Sequence, residues 1–98
     1  MKAVFADEAI EQLDDLLDYL EREWSSKVRD KFVQKLQQFV STIERYPEAF
    51  PVSNNLVAEG ARRCVVVPQV SLYYLIDAQN QRIVILTIRD NRMDYPAN

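Results

Sequence analysis

The chain has 98 residues, a formal net charge of −3 and a hydrophobic fraction of 48%, which predict a single small domain over residues 1–98 with a buried core. Because it contains no histidine, one cysteine and one glycine, His-dependent catalysis, zinc fingers, disulfide frameworks and glycine-rich phosphate loops are excluded. No apolar run reaches the roughly 18–20 residues of a membrane span. The N-terminal segment turns acidic before a signal-peptide core forms, so the expected compartment is a reducing cytoplasm.

An amphipathic helix is predicted over residues 7–24. Its apolar positions are spaced three and four residues apart and form one stripe: Ile10, Leu13, Leu17, Leu20 and Trp24. Asp7 precedes the stripe and is the expected N-cap. The spacing predicts that the whole stripe, Trp24 included, packs onto a core, while the opposite face of the helix is acidic.

A second helix is predicted after Ser25 and Ser26, either of which can cap it. Its apolar positions repeat the same spacing: Val28, Phe32, Leu36, Phe39, Ile43 and Tyr46. The helix should end at Tyr46, because the proline at position 47 disfavours helical geometry in the residue before it. The short break between two matched stripes predicts an antiparallel helical hairpin.

Three strands are predicted in the second half of the chain, after a loop over residues 47–61. They cover residues 63–67, 70–76 and 82–89, which are rich in β-branched and aromatic side chains and are separated by short turns. Residues 4–5 can add a fourth strand. The order β-α-α-β-β-β predicts an α+β domain, with the helical hairpin packed on a three- or four-stranded antiparallel sheet.

The last predicted strand is apolar on both of its sides. Alternation predicts that Ile83 and Ile85 point one way. It predicts that Val84, Leu86 and Ile88 point the other way. Two helices cover only one face of a sheet, so part of the second face is either exposed, which would mark a partner site, or covered by the preceding loop.

Charge is distributed unevenly along the chain. Residues 1–24 carry two basic and eight acidic residues, whereas residues 25–46 carry five basic and two acidic residues. The remaining residues are balanced, and their basic members are all arginine: Arg62, Arg63, Arg82, Arg89 and Arg92. Arginine is preferred over lysine where phosphate or carboxylate is recognised through two parallel hydrogen bonds.

Several segments together resemble one known family of small proteins. They are residues 9–13, 19–20 and 24 in the first helix, then 46–51, 60–63, 73–77, 83–88 and 90–92. In this order and spacing they resemble the RelE/ParE toxin superfamily over nearly the whole chain. The resemblance implies the toxin of a bacterial type II toxin–antitoxin module, of the plasmid-stabilisation type, which a cognate antitoxin neutralises. One branch of the superfamily cleaves mRNA at the ribosome, and the other inhibits DNA gyrase.

For a ribosome-dependent mRNA endonuclease, cations must stabilise the scissile phosphate and another group must remove the 2′-hydroxyl proton. The resemblance assigns the phosphate charge to Arg63 and Arg92. It assigns proton transfer or base stacking to Tyr95, with a weaker contribution from Arg89. The structural alternatives are that Arg63 is a solvated strand-entry charge, that Arg89 pairs with a neighbouring aspartate, and that Tyr95 packs beside proline.

The chain departs from the ribonuclease branch in its charge, because RNA binding favours a basic protein and this chain is acidic. The segment Asp90-Asn91-Arg92-Met93 resembles the Asp-x-Arg-Gln ending of the gyrase-directed branch, with methionine in place of glutamine. The leading interpretation is therefore a gyrase-directed toxin or a toxin of unknown target. The mRNA endonuclease and a non-toxic protein-interaction module are the alternatives, so whether the chain is an enzyme stays open.

An amphipathic antitoxin segment would also account for a sheet that is apolar on both sides. The expected antitoxin contacts are Tyr73, Tyr74, Val84, Leu86 and Ile88. Of the two adjacent tyrosines, one ring is expected in the core and the other on the antitoxin-facing surface, with a nucleic-acid stacking platform as the alternative. The expected assembly is a homodimer or a hetero-oligomer with the antitoxin, without cofactor, metal or membrane.

Overall fold

The computed structural model describes residues 1–53 and 57–91. Two helices pack on one face of a four-stranded sheet, and the element order is the β-α-α-β-β-β that the sequence predicts. The elements are β1 (Lys2–Phe5), α1 (Asp7–Glu23), α2 (Ser26–Arg45), β2 (Arg62–Val67), β3 (Val70–Asp77) and β4 (Arg82–Asp90).

The sheet has the spatial order β1-β4-β3-β2. Strands β2, β3 and β4 are joined by short turns and pair antiparallel, as predicted. Strand β1 pairs with β4 in parallel, from Lys2 opposite Arg82 to Phe5 opposite Ile85, so the sheet is mixed rather than wholly antiparallel. The helical hairpin carries the chain from β1 to the far edge of the sheet, and three antiparallel strands return it beside β1 in the same direction.

Helix α1 buries a stripe that is shifted from the predicted one. Ala9 is fully buried, and the leucines that pack against the core are Leu13, Leu16, Leu17 and Leu20. Trp24 is 69% exposed and Ile10 is 46% exposed, so the prediction that both ends of the stripe are buried is wrong. The helix ends at Glu23, and the backbone of Trp24 (φ −122°, ψ −86°) turns its side chain out of the stripe.

Of the two predicted N-caps, one is observed and one is not. Ala6 occupies the N-cap of α1 without a side-chain hydrogen bond, and Asp7 is already the first helical residue, so the expected Asp7 cap is wrong. Ser25 caps α2 as predicted, because its Oγ accepts a hydrogen bond from the Val28 N–H at 3.1 Å. Helix α2 ends at Arg45, with Tyr46 as its C-cap, one residue before the predicted end. Over the described residues, no helix has the length and apolar character needed to cross a membrane.

The core lies between the helices and one side of the sheet. Its buried strand residues are Cys64, Val66, Val70, Leu72, Tyr74, Ile83, Ile85 and Ile88. Helix α2 covers them with Phe32, Leu36 and Ile43, all of which are buried. The ring of Phe39 packs edge-on against Phe50, with 5.8 Å between centroids.

A β-bulge in β4 changes which side chains face the core. Tyr73 pairs with Thr87 but Tyr74 pairs with Ile85, so Leu86 is an extra residue without a partner in β3. The alternation is shifted by one residue beyond this point. Ile88 therefore faces the helices with 5% exposure, and the prediction that it shares a face with Val84 is wrong.

The segment before β2 runs along the outside edge of that strand. The Arg63 N–H donates to the Pro51 carbonyl at 3.0 Å, and the Ser53 N–H donates to the Ala61 carbonyl at 2.7 Å. Val52 forms an isolated antiparallel bridge with Arg62. These bonds protect part of an edge that would otherwise offer unpaired backbone groups.

Candidate functional site

The sheet has a second side, turned away from the helices, which we call the outer face. Residues directly opposite each other in paired strands share a face. The observed pairs therefore place one connected set of side chains on it: Val4, Arg63, Val65, Ser71, Tyr73, Leu75, Val84, Thr87 and Arg89. One part of this set is polar and cationic, and the other is apolar.

The polar part contains an arginine cluster formed by Arg63, Ser71, Tyr73, Arg89 and Asn91. Arg63 Nε donates to Ser71 Oγ, and Arg63 Nη2 donates to Asn91 Oδ1, each at 3.2 Å. The guanidinium carbon of Arg89 lies 5.7 Å from the centroid of the Tyr73 ring, within the range of a cation–π contact. Both guanidinium groups are thus held in place on β2 and β4, the two strands that flank β3.

The arrangement of the arginine cluster suits an anion. Ser71 and Asn91 are neutral, so they orient the Arg63 guanidinium without cancelling its charge. Both arginines are half-buried, and a partly buried charge is screened less by salt than an exposed one. A planar guanidinium fixed on a strand is suited to a phosphate or carboxylate through parallel hydrogen bonds.

At the opposite end of the outer face, the positive charge of Arg82 is paired with a carboxylate. Arg82 Nε lies 2.9 Å from Asp77 Oδ2. Hydrogen bonds from the side chains of Asn80 and Arg82 hold the pKa of the Asp77 carboxyl below its usual range. Arg82 therefore differs from Arg63, although both are arginines near strand starts.

The apolar part of the outer face remains partly open to solvent. Val65 is 44% exposed and Val4 is 37% exposed. Leu75, Val84 and Leu86 are half-buried. Of the two alternatives that the sequence left open, partial exposure is therefore observed, with the segment before β2 covering an edge rather than the face.

The structure brings some of the expected site residues together and separates others. Arg63, Arg89 and Tyr73 lie in the arginine cluster. Val84 lies on the outer face, and Leu86 is the bulge residue beside it. The other two expected site residues, Arg92 and Tyr95, lie outside the described residues.

Two expected antitoxin contacts lie in the core. Tyr74 is fully buried, and its hydroxyl donates to the Pro47 carbonyl at 2.6 Å. Burial raises the pKa of that phenol. Ile88 is buried beneath the helices. The adjacent Tyr73 faces the other side of the sheet, so one ring of the pair is in the core as expected, but Tyr73 is also fully buried, so the expectation of an open surface ring is wrong.

Arg62 differs from Arg63 in its contacts. Its Nη1 donates to the Phe50 carbonyl at 2.7 Å, which fixes the segment before β2. A weaker ion pair, at 3.9 Å, joins Arg62 to the exposed carboxylate of Glu48. Both arginines make hydrogen bonds, so neither is a solvated strand-entry charge, which was the alternative to a functional role. Only Arg63 projects onto the outer face.

The sequence analysis missed Gln12, which supports the strand that carries Arg89. Strand β1 covers β4 only as far as Ile85. Beyond that residue, Gln12 Oε1 accepts from the Ile88 N–H at 2.8 Å and from Thr87 Oγ1 at 2.7 Å. The sequence feature that could have indicated this role is a single amide side chain, three residues after Ala9, on the apolar side of α1.

Neither metal chemistry nor thiol chemistry is evident in the described part of the chain. Among residues 1–53 and 57–91, no three side chains of Cys, Asp or Glu come together as metal ligands. Cys64 is fully buried, and burial raises the pKa of its thiol to about 12. At neutral pH it is therefore a protonated, packed side chain rather than a nucleophile.

Comparison with known proteins decides the family. Residues 3–95 match the sequence model described as the ParE toxin of the type II toxin–antitoxin system, parDE. The chain belongs to this ParE toxin family. None of the curated proteins compared with it matches.

Solved structures share the fold of this ParE-family chain. The chromosomal ParDE TA system from P. aeruginosa is 19% identical, with a TM-score of 0.75, over 92% of this chain and 95% of that one. The YoeB/ParE toxin from Agrobacterium tumefaciens is 17% identical, with a TM-score of 0.67, over 92% and 98%. A metal-bound toxin from Helicobacter pylori is 12% identical, with a TM-score of 0.69, over 97% and 99%. At these identities the likeness shows the fold alone.

Proposed function

We propose that this ParE-family toxin arrests growth by binding a protein target through its outer face, and that the target is DNA gyrase. A cognate antitoxin neutralises it by covering the same face. The observation that supports this reading is the arginine cluster, in which two neutral side chains, Ser71 and Asn91, orient the Arg63 guanidinium on the outer face.

The chemistry of the arginine cluster favours binding over cleavage. RNA cleavage needs a group that accepts the 2′-hydroxyl proton. Arginine is protonated at all ordinary pH values, and serine and threonine hydroxyls do not act as bases near pH 7 without a base of their own. Tyr73 is fully buried beside Arg89, so its hydroxyl is not presented to a substrate.

The net charge points the same way. Affinity for RNA comes largely from neutralising phosphates with an excess of cations, whereas this chain carries a net charge of −3. Two fixed guanidinium groups within an acidic protein suit a local carboxylate or phosphate on a specific partner. They do not suit an extended nucleic-acid backbone.

The apolar part of the outer face supports antitoxin binding. Val4 and Val84 are direct partners in β1 and β4, whereas Val65 lies on the opposite edge strand beside Ser71 of the arginine cluster, and the helices cover none of the three. An amphipathic segment could bury these side chains and lie across Arg63 and Arg89 at the same time. Val84 and Leu86 remain in the proposed antitoxin surface, whereas Tyr73, Tyr74 and Ile88 are buried and are not part of it.

A second candidate function is the ribosome-dependent mRNA endonuclease. The observation that favours it is the placement of Arg63 and Arg89 on one face, with β4 leading from Arg89 toward Arg92 and Tyr95. In that mechanism Arg63 and Arg92 would stabilise the phosphate and Tyr95 would transfer a proton, as the resemblance implies.

The deciding experiment is induced expression in a bacterial host without the neighbouring reading frame. Growth, plasmid supercoiling by gyrase and mRNA integrity are followed for the wild type, Arg63→Ala and Tyr95→Phe. Arg82→Ala is the matched control, because that arginine is already paired with Asp77.

The proposal expects growth arrest with inhibited supercoiling and intact mRNA. Arrest should be lost in Arg63→Ala and kept in Tyr95→Phe and Arg82→Ala. Cleaved mRNA, with arrest abolished by Tyr95→Phe, would establish the endonuclease instead. Folded protein that causes no arrest would contradict both toxin mechanisms and leave the non-toxic interaction module.

A further inference from the structure

An apolar groove lies at the closed end of the helical hairpin, on the helix side of the sheet and away from the outer face. We call it the hairpin groove and define it by Tyr19 and Trp24 of α1, Val28 and Phe32 of α2, and Val70 of β3. Its volume is about 520 Å³. The fold therefore has a second surface that target binding does not use.

The hairpin groove exposes large apolar side chains to solvent. Trp24 is 69% exposed, and Tyr19 and Val28 on the two helices are each nearly 40% exposed. A buried tryptophan removes about 150–250 Å² from water, so leaving it exposed forgoes a large stabilisation. Contiguous apolar surface of this kind marks an interaction site.

The backbone holds Trp24 in its exposed position. The Trp24 N–H donates to the Leu20 carbonyl at 3.0 Å, while its non-helical φ and ψ direct the side chain away from the core stripe. Ser25 then caps α2. Because both helix ends are fixed, the backbone of Trp24 is in place before any partner arrives, which lowers the entropic cost of binding.

The two rims of the hairpin groove carry opposite charge. Lys31 and Lys35 lie one turn apart on the α2 wall. On α1, Asp15 and Glu23 lie one turn before and one turn after Tyr19, so they share its face, and Glu23 also pairs with Arg22 of the same helix at 3.5 Å. Both carboxylates are exposed.

This charge pattern selects the partner. A uniformly acidic segment would be attracted to the α2 rim and repelled by the α1 rim, and a basic segment would meet the reverse. A second copy of the chain, related by a two-fold axis, places each acidic rim opposite a basic rim. It also places two exposed tryptophans where each can bury the other.

We propose that the hairpin groove is a homodimer interface, in which α1 of one copy packs against α2 of the other. Trp24 is the apolar anchor, and Lys31 and Lys35 of each copy face Asp15 and Glu23 of its partner. The outer faces remain open in this dimer. The proposal is independent of the target and of the antitoxin, so it stands or falls separately from the proposed function.

The first test measures the mass of the purified chain by light scattering across a concentration series. We expect a concentration-dependent mass that approaches twice 11.5 kDa. Trp24→Ser should weaken self-association by about tenfold or more, since anchor aromatics commonly contribute well over 1 kcal/mol. Tyr46→Ser is the matched control, because Tyr46 is 61% exposed but lies at the other end of α2.

The second test exchanges the charges of the rims. Lys31→Glu with Lys35→Glu makes both rims acidic, and Asp15→Lys with Glu23→Lys makes both rims basic. Each double variant alone should self-associate at least about tenfold more weakly than the wild type, because every charge pair across the interface becomes a like-charge pair. Mixing the two variants in equal amounts should restore the dimer, since opposite rims then meet again.

Three results would overturn the proposal. One is a chain that stays monomeric throughout the concentration series, which would leave the groove to a different partner such as the antitoxin. Another is a dimer that Trp24→Ser leaves intact, which would place the interface elsewhere. The third is a mixture of charge variants that does not associate better than either alone. Thermal unfolding of each variant confirms that the monomer fold is retained.

Discussion

The two faces of the sheet have similar apolar composition but different environments. On the helix-facing side, Leu72, Ile83 and Ile85 are completely buried, whereas on the outer face Val4 and Val65 are about two-fifths exposed. Hydrophobicity along a strand therefore does not by itself identify the core. The comparison indicates that the helix-facing residues stabilise the fold, while exposed outer-face residues such as Val4 and Val65 are available for recognition.

The largest expected effect comes from truncating the helix-facing side. Ile85→Ala should lower the free energy of unfolding by about 3 kcal/mol, because it leaves a cavity in a packed core. Val84→Ala, its neighbour on the outer face, should cost about 1 kcal/mol or less, because the valine is only half-buried. Urea denaturation of both variants tests the comparison, and equal losses would contradict it.

The next effect concerns the link between α1 and the open edge of β4. Gln12→Leu should lower the free energy of unfolding by about 2 kcal/mol, because it leaves the Ile88 N–H without its acceptor. Gln12→Glu keeps an acceptor oxygen and should lose less. Exposed Gln34→Leu is the control and should stay within about 0.5 kcal/mol of the wild type. A Gln12→Leu variant as stable as this control would show that the two hydrogen bonds do not stabilise the fold.

Adjacent arginines on opposite sides of β2 sharpen the comparison further. Arg63→Ala should cost about 2 kcal/mol of stability, because two hydrogen bonds from a charged donor are lost, and should abolish growth arrest. Arg62→Ala should cost a similar amount, because it frees the Phe50 carbonyl, and should leave arrest in place. Denaturation and growth curves of the two variants separate these effects. Arrest that depends on Arg62 rather than Arg63 would contradict the assignment of the outer face.

The smallest expected effect is a loss of folding stability at alkaline pH, caused by a buried thiol on the helix-facing side. The folded chain holds the pKa of Cys64 at about 12, whereas a free thiol titrates near pH ~8.5. Above about pH 9 the unfolded chain therefore releases a proton that the folded chain keeps, and stability falls as pH rises toward 12, by roughly 1 kcal/mol per pH unit. Below pH 8 this thiol makes no difference.

Urea midpoints at pH 8 and pH 10.5 check this expectation. Cys64→Ala should lose less stability between the two pH values than the wild type does, since it has no thiol to ionise. An identical loss in both proteins would assign the effect to other groups. Burial also raises the pKa of Tyr74, so this phenol likewise lowers the stability of the fold as the pH rises.

The sequence predicts the elements and their order because helical and strand periodicities are strong and separate in this chain. It fails where a local backbone feature has no compositional mark. The bulge at Leu86 lies within an unbroken apolar run, so nothing distinguishes the extra residue. The exposure of Trp24 depends on where α1 ends, and that end is set by a change in backbone angles one residue earlier than the spacing indicates.

Parts of the site could be predicted from residue type, but their grouping could not. Arg63 and Arg89 are notable in sequence because the second half contains no lysine. Their proximity requires the register of three strands, which alternation alone does not supply. Ser71 and Asn91, which orient Arg63, are common residue types that acquire a role only through that register.

The pairing of β1 with β4 also affects when the outer face forms during synthesis and folding. Lys2 and Arg82 are partners although 80 residues of chain separate them, and such contacts slow folding because a long loop must close first. At about 5–20 residues per second of synthesis, β1 precedes β4 by roughly 4–16 seconds. The arginine cluster needs β2, β3 and β4 together, so under the proposed function a nascent chain cannot bind its target until its last strand has been made. That delay gives a newly synthesised neutralising partner time to be present when the outer face first forms.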